Sequence, residues 1–274
     1  MKVAQRVFDF YLDASIHVAF AAFALVSVTG LTLNIPVDAH LSWFLFFGTI
    51  ACYNFVKYGV EARKYILIAN RYYRNIQFAS FIAFGLAAFH FFFLKIDVWV
   101  CIVCLLVLTG LYAVPVLPHS KKLRSWGILK VFVVALVWAG ATVILPALSE
   151  RGPNLWDICI ETVQRFLFVL ILMIPFEIRD LVYDSPDLKT LPQRYGVART
   201  KIFGAFATLL FFFSVFLKDS VTTANVIATG ILFLVLGGLM FVTKRNQGSY
   251  FASFWVEVIP IVWWILLLSL EQLF

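Results

Sequence analysis

Charge is what this sequence has least of. Only 14% of its 274 residues are Asp, Glu, Lys or Arg, against 62% hydrophobic, and the mean hydropathy is +0.93. A soluble domain of this length needs a charged shell, and this composition does not supply one. Cysteine is scarce too. The four present, Cys52, Cys101, Cys104 and Cys159, fall in apolar stretches, and Cys101-x-x-Cys104 lacks the strand and helix context of a redox motif. They read as small buried hydrophobes. There is no Gly-rich phosphate loop, low-complexity tract or long linker, so residues 1–274 read as a single domain.

What the chain has in abundance is long apolar runs. They lie near residues 14–34, 42–58, 77–94, 97–117, 128–148, 157–176, 201–217, 221–243 and 251–271. Each is long enough to cross a bilayer as a helix. With no water in the bilayer core, backbone groups must bond within the segment, so the expectation is an all-α integral membrane protein, a bundle of about nine transmembrane helices. Asp9 and Asp13 precede the first run, which therefore reads as a retained membrane helix instead of a cleavable signal peptide.

The basic residues sort by side. Lys2 and Arg6, then Lys57, Arg63, Lys64, Arg71 and Arg74, then Lys121, Lys122, Arg124 and Lys130, then Arg179, Lys189, Arg194, Arg199 and Lys201, and finally Lys244 and Arg245 alternate with loops nearly free of Lys and Arg. Cytoplasmic loops collect Lys and Arg, so the N-terminus is expected inside and the C-terminus outside, in the cell inner membrane. The net charge of +7 is then a cytoplasmic collar that meets anionic lipid or a phosphorylated substrate, and needs no nucleic acid to explain it.

The densest chemistry is the run from Phe176 to Gly196. On a helix Asp180 and Asp184 stand one above the other on a single face, where two carboxylates repel unless a cation neutralises them. Hard oxygen ligands at that spacing suit Mg²⁺, which takes one or two protein carboxylates and completes its shell with water and phosphate. The bland alternative is a solvated loop whose acids balance Arg179, Lys189, Arg194 and Arg199.

Asp180-x-x-x-Asp184, followed by Thr190-Leu191-Pro192 and Gly196, resembles the second aspartate-rich motif of the UbiA superfamily of intramembrane prenyltransferases. The segment Tyr112 to Pro118 with Lys121, Lys122, Arg124 and Lys130 is similar to that family's connection between the fourth and fifth helices. The resemblance implies a bundle of membrane helices, Mg²⁺ on Asp180 and Asp184 as catalytic and metal-binding residues, and transfer of a prenyl chain from a prenyl diphosphate to a lipophilic acceptor of aromatic or quinone type. It places Tyr112, Lys121, Lys122 and Arg124 near the diphosphate.

The family's first motif, Asn-Asp-x-x-Asp-x-x-x-Asp, is degenerate here. Asn54 is kept and counts as a candidate diphosphate-binding residue, but Phe55, Tyr58 and Ala62 stand where the aspartates belong, and Glu61 is one position off, roughly 100° round the helix. A departing diphosphate must have its charge met by metal or fixed cations. Lys57, three residues after Asn54, is a candidate to replace the lost metal-binding cluster; it also reads as an ordinary snorkelling lysine. Two alternatives to catalysis follow: a silent relative that binds isoprenoid lipid, and a small transporter using Glu257, which lies inside the last apolar run. Glu161 and Arg165, at i and i+4, read as an outer-interface pair. His17 and His90 have no companions at ligand spacing, and Phe91–Phe93 and Phe211–Phe213 read first as lipid contacts.

Overall fold

The computed structural model describes residues 2–60, 70–113, 127–150, 154–185 and 188–274. Its elements, all helical among the described residues, are α1 (Lys2–Asp13), α2 (Ile16–Thr32), α3 (Ala39–Asn54) running on as a π-helical turn (Phe55–Val60), α4 (Arg71–Phe91) and α5 (Ile96–Ala113). Next come α6 (Ile128–Ala139), carried through a π turn (Gly140–Ile144) into α7 (Leu145–Ser149), α8 (Leu155–Asp180) and α9 (Leu191–Phe213). The chain ends with α10 (Thr223–Val242) and, after a π turn (Phe251–Val256), α11 (Ile259–Glu271). Six helices, Ala39–Tyr58, Ile128–Ser149, Leu155–Asp180, Leu191–Leu217, Thr223–Val242 and Phe251–Glu271, are long and apolar enough to cross a membrane, and the α1–α2 pair, bent by 55°, makes a seventh if counted as one span. Ile96–Leu111 is apolar but shorter, and α4, with Arg71 and Arg74 in its first turn, is not among them. The protein is an integral membrane protein, and each expected run overlaps a helix, residues 114–117 of the fourth lying outside the described residues.

Polar side chains set the helix starts. Asp38 accepts from the amides of His40 and Leu41, Asn70 from Tyr72, Asn154 from Trp156 and Thr222 from Asn225, each satisfying N–H groups that have no partner inside the helix. The helices pack in series: α4 on α3, α3 on α2, α2 on α11, α11 on α10, α10 on α9, α9 on α8, α8 on α6 and α6 on α5, with α2 also touching the π turn after α6. The larger core gathers Phe168, Phe211, Leu232, Leu236 and Trp263, all fully buried or nearly so, with Phe168 and Trp263 rings 4.9 Å apart. A second core joins Val26, Leu41, Val98 and Leu145. Gly204 permits the tight seam of α9 on α8 and α10, since a Cβ there would lie 2.3 Å from Met240 Sδ and 2.7 Å from Ile174. Phe92, Phe93 and Phe213 face outward as expected for lipid contact, whereas Phe211 is core.

Two expectations are corrected. Glu161 and Arg165 are fully buried between helices and are no outer-interface pair. Cys104 and Cys159 are exposed and Cys52 and Cys101 half-buried, so none is a fully buried hydrophobe.

Candidate functional site

The acidic segment closes α8. Glu177, Asp180 and Asp184 follow one another at i, i+3 and i+7, which puts them on one side of the helix. The helix ends at Asp180, whose carbonyl accepts the amides of Tyr183 (2.9 Å) and Asp184 (2.8 Å), so Asp184 continues the spiral by one turn outside the helix proper. A helix C-terminus already carries partial negative charge, and three carboxylates there add to it. Their fields overlap: Glu177 feels both Asp184 and Asp180.

Cations hold the cluster together. Lys130 of α6 reaches Glu177 at 2.8 Å and Asp184 at 3.3 Å, and Arg179 Nε donates to Asp180 at 2.8 Å while its guanidinium lies 5.1 Å from the Phe176 ring. Lys130 gets there because the chain before α9 lies flat on the start of α6. Gly127 (φ +51°) has no room for a side chain, since a Cβ would strike the Leu188 and Lys189 carbonyls at 2.1 and 2.5 Å. The Thr190-Leu191-Pro192 motif is then a helix start: Gln193 accepts from the Thr190 amide at 3.0 Å and donates to the Ser185 carbonyl at 3.0 Å, with Pro192 in the first turn. Gly196 has φ 79° and ψ 161°, a conformation open essentially to glycine, and it kinks α9 one turn after Pro192.

The opposite wall is built from α1, α3 and α4. Asn54 is buried, accepts from Ser15 Oγ at 2.8 Å and donates to the Ala14 carbonyl and Ser80 Oγ, each at 2.9 Å. Its side chain is thus fully engaged in clamping the α1–α2 bend onto α3 and α4. Lys57, half-exposed, pairs with Asp13 at 3.4 Å, and Asp13 also accepts from Tyr72 (2.8 Å) and, through its carbonyl, from Tyr58 (3.0 Å). One turn earlier Asp9 accepts from Tyr250 at 2.7 Å, a bond that pushes the Tyr250 phenol up. The two walls are joined through the segment before α11, where Tyr250 donates to Asp9 and Gln247 donates to the Pro175 carbonyl at 2.9 Å. Asp180, Asp184 and Lys57 therefore lie around one end of the bundle. Lys121, Lys122, Arg124 and Glu61 lie outside the described residues, as does the side chain of Tyr112 in the last turn of α5.

Sequence reasoning passed over Glu177 and Lys130 as site members. The spacing of Glu177 to Asp180 and Asp184 was the available signal; Lys130, 54 residues from Asp184, announces itself only in three dimensions. Among the described residues no three His, Cys, Asp or Glu side chains converge into a ready metal cage. The donor set does fit Mg²⁺ in its usual protein setting, one or two carboxylates with phosphate oxygens supplying the rest. Glu177 Oε2 is buried without a partner and Asp184 is only a fifth exposed, so ligand oxygens stand unused beside Lys130.

A cavity of about 490 Å³ opens elsewhere, between the far ends of α2 and α11, lined by Ser27, Asn34, Trp264 and Glu271 among others. It lies away from the charged end.

No family model matches this sequence, and no curated protein matches it either. Solved structures do. A UbiA homolog from Archaeoglobus fulgidus bound to DMAPP and Mg²⁺ superimposes with a TM-score of 0.64 at 11% identity, covering 96% of this chain and 99% of the other. The same homolog bound to GPP and Mg²⁺ gives 0.63 at 12% identity, covering 95% and 98%. A digeranylgeranylglyceryl phosphate synthase gives 0.57 at 13% identity, covering 97% and 96%. At such identities the likeness establishes the fold, and it extends over nearly the whole chain.

Proposed function

We propose that this protein is a UbiA-type prenyltransferase, moving a prenyl chain from a prenyl diphosphate to a lipophilic acceptor at the cytoplasm-facing end of the bundle, in the inner membrane. The observation that carries the reading is the carboxylate face of Glu177, Asp180 and Asp184. It loads negative charge onto the wrong end of a helix, which only a bound cation or cationic partner relieves. Structures with the same fold hold DMAPP or GPP together with Mg²⁺.

In this reading Asp180 and Asp184, helped by Glu177, hold Mg²⁺, which supplies Lewis-acid neutralisation of the leaving diphosphate. The chain's own cations do the rest. Lys57, Lys130 and Arg179 stand around the mouth, and with Lys121, Lys122, Arg124 and Tyr112, the candidates from the sequence, they would favour the charge that develops as the prenyl C–O bond breaks. The apolar interior shields the allylic cation from water. Asn54 positions the α3 wall in place of touching the substrate.

A second reading has one observation in its favour. No aspartate comes from α3, and the acids present are already countered by Lys130 and Arg179. A silent relative that binds isoprenoid lipid would look the same. Membranes containing the protein, given radiolabelled geranylgeranyl diphosphate and Mg²⁺, separate the two: an enzyme releases pyrophosphate and labels a membrane lipid, whereas a binder retains the diphosphate unchanged.

A further inference from the structure

The end of the bundle far from the acids has no part in the chemistry above, yet the cavity of about 490 Å³ opens there, between α2 and α11. It is built from two helix faces and a turn. On α2 and just past its end, Ser27, Gly30, Leu31 and Asn34 line it at i, i+3, i+4 and i+7, and on α11 Trp264 and Glu271 line it at i and i+7, one face in each case. The turn after α2 folds back over it. Asn34 takes the left-handed conformation (φ 49°), and the Ile35 amide donates to the Gly30 carbonyl at 2.9 Å, the bond pattern that closes a helix C-terminus. Gly30 allows the close return, since a Cβ there would lie 2.4 Å from Val37 Cγ2.

Charge and depth decide what fits. Both α2 and α11 end at this cavity and bring the partial negative charge of helix C-termini, Glu271 adds a full one, and no Lys or Arg is among the residues that line it. The cavity therefore selects a cation. The Glu271 carboxylate makes no hydrogen bond or ion pair to a described residue, and neither do the Asn34 side chain and the Trp264 indole N–H. Glu271 ends the last membrane span, and Trp264 lies seven residues before it, about 10 Å deeper at 1.5 Å per residue. The carboxylate is thus at the membrane surface, with the indole, met edge-on by Phe23 at 5.9 Å, in the interfacial zone below. A phospholipid with an ammonium head presents its groups in the same order: the cation outermost, then phosphate and ester oxygens, then the chains.

We propose that this cavity binds the head of an ammonium-bearing phospholipid of the phosphatidylethanolamine type, taken from the leaflet at the far end of the bundle. Glu271 and the Asn34 side-chain oxygen accept from the ammonium, Trp264 Nε1 donates to a phosphate or ester oxygen, and the first acyl carbons lie on Leu31 and Val37. The site is independent of the prenyl-transfer reading. An anionic head without an ammonium is rejected, because the cavity offers its phosphate no cation and sets a carboxylate against it. Lipid is the source of the ammonium because the cavity opens at the end of two membrane helices, where phospholipid heads surround it.

The test mixes the full chain, solubilised in a non-ionic detergent, with equal amounts of dioleoyl phosphatidylethanolamine and dioleoyl phosphatidylglycerol, and counts retained lipid by native mass spectrometry. The wild type should retain the ethanolamine lipid about fivefold over the glycerol lipid, the size of effect expected for one interfacial ion pair. E271Q, altered at an exposed helix end, should melt like the wild type and retain the two lipids equally, whereas E271D should keep most of the preference. Glycerophosphoethanolamine, the same head without chains, should leave the bound lipid in place. Equal retention of the two lipids by the wild type, or an undiminished preference in E271Q, overturns the site and leaves lipid merely coating the bundle. Displacement of the lipid by glycerophosphoethanolamine overturns the membrane as the source and assigns the cavity to a soluble amine.

Discussion

Two groups of charges lie on the same helix, and they are built in opposite ways. Near the middle of α8, Glu161 and Arg165 are fully buried with Lys218: Glu161 meets Arg165 at 2.9 Å and Lys218 at 2.5 Å. Arg165 also donates to the Leu25 carbonyl, Thr142 and Thr29 and lies 5.0 Å from the Trp263 ring. Apart from Arg165 Nε the network's buried side-chain groups are matched, and α2, the π turn after α6, α8 and α11 are tied at one point. At the C-terminal end of α8, by contrast, Asp180 is a third exposed, carboxylates outnumber the cations that face them, and Glu177 keeps an unused oxygen. A charge-balanced, fully buried network fixes packing. An unsaturated one at the mouth leaves capacity for a ligand.

The contrast can be broken by mutation. Glu161→Ala leaves Arg165 and Lys218 buried and uncompensated, so the expected loss of stability is about 3–5 kcal/mol, read as a large drop in thermal midpoint in detergent. A small drop would mean the central network is not the staple its geometry implies. Gly196→Ala forces an L-residue into a glycine-only conformation and should cost about 3 kcal/mol, the upper end of the usual range for such strain. Melting curves check it, and no shift would mean that α9 straightens without penalty.

Asn54→Ala removes three buried hydrogen bonds at roughly 0.6 kcal/mol each inside a membrane bundle, about 2 kcal/mol of stability in all, while leaving diphosphate affinity nearly unchanged. Loss of affinity without loss of stability would return Asn54 to the ligand set. Lys57→Ala deletes a half-exposed cation, and should weaken geranylgeranyl diphosphate binding by about fivefold, roughly 1 kcal/mol, with no measurable change in melting. Indifference of binding would remove Lys57 as a stand-in for the missing aspartates.

These residues also mark how far a sequence can be read. Long apolar runs disclose a membrane bundle because the bilayer admits few other solutions, and the Asp180, Asp184, Thr190-Leu191-Pro192 and Gly196 pattern marks the candidate site because each residue obeys a local rule: a shared helix face, a helix start, a glycine-only kink. Hydropathy gives depth in the membrane but not azimuth, so Arg165 could be placed neither inside nor outside the bundle, and the interface reading failed. Partnerships across the chain were equally hidden. Lys130 with Glu177 and Asp13 with Lys57 depend on how α6 meets α8 and how the α1–α2 bend folds onto α3, which no spacing encodes. Asn54 was visible as a kept motif residue, while its bonds to Ser15, Ala14 and Ser80, which tie the α1–α2 bend to α3 and α4, were not.

The central claim is that the end of α8 is a metal-assisted diphosphate site and not a solvated loop. Calorimetric titration of the detergent-solubilised wild type, Asp180→Ala and Asp184→Ala with geranylgeranyl diphosphate, with and without Mg²⁺, tests it most directly. The account predicts that Mg²⁺ tightens binding to the wild type and that both variants, still folded, lose that Mg²⁺-dependent gain, a drop of about 100-fold or more. Equal affinity in all three proteins, with or without the metal, would contradict it.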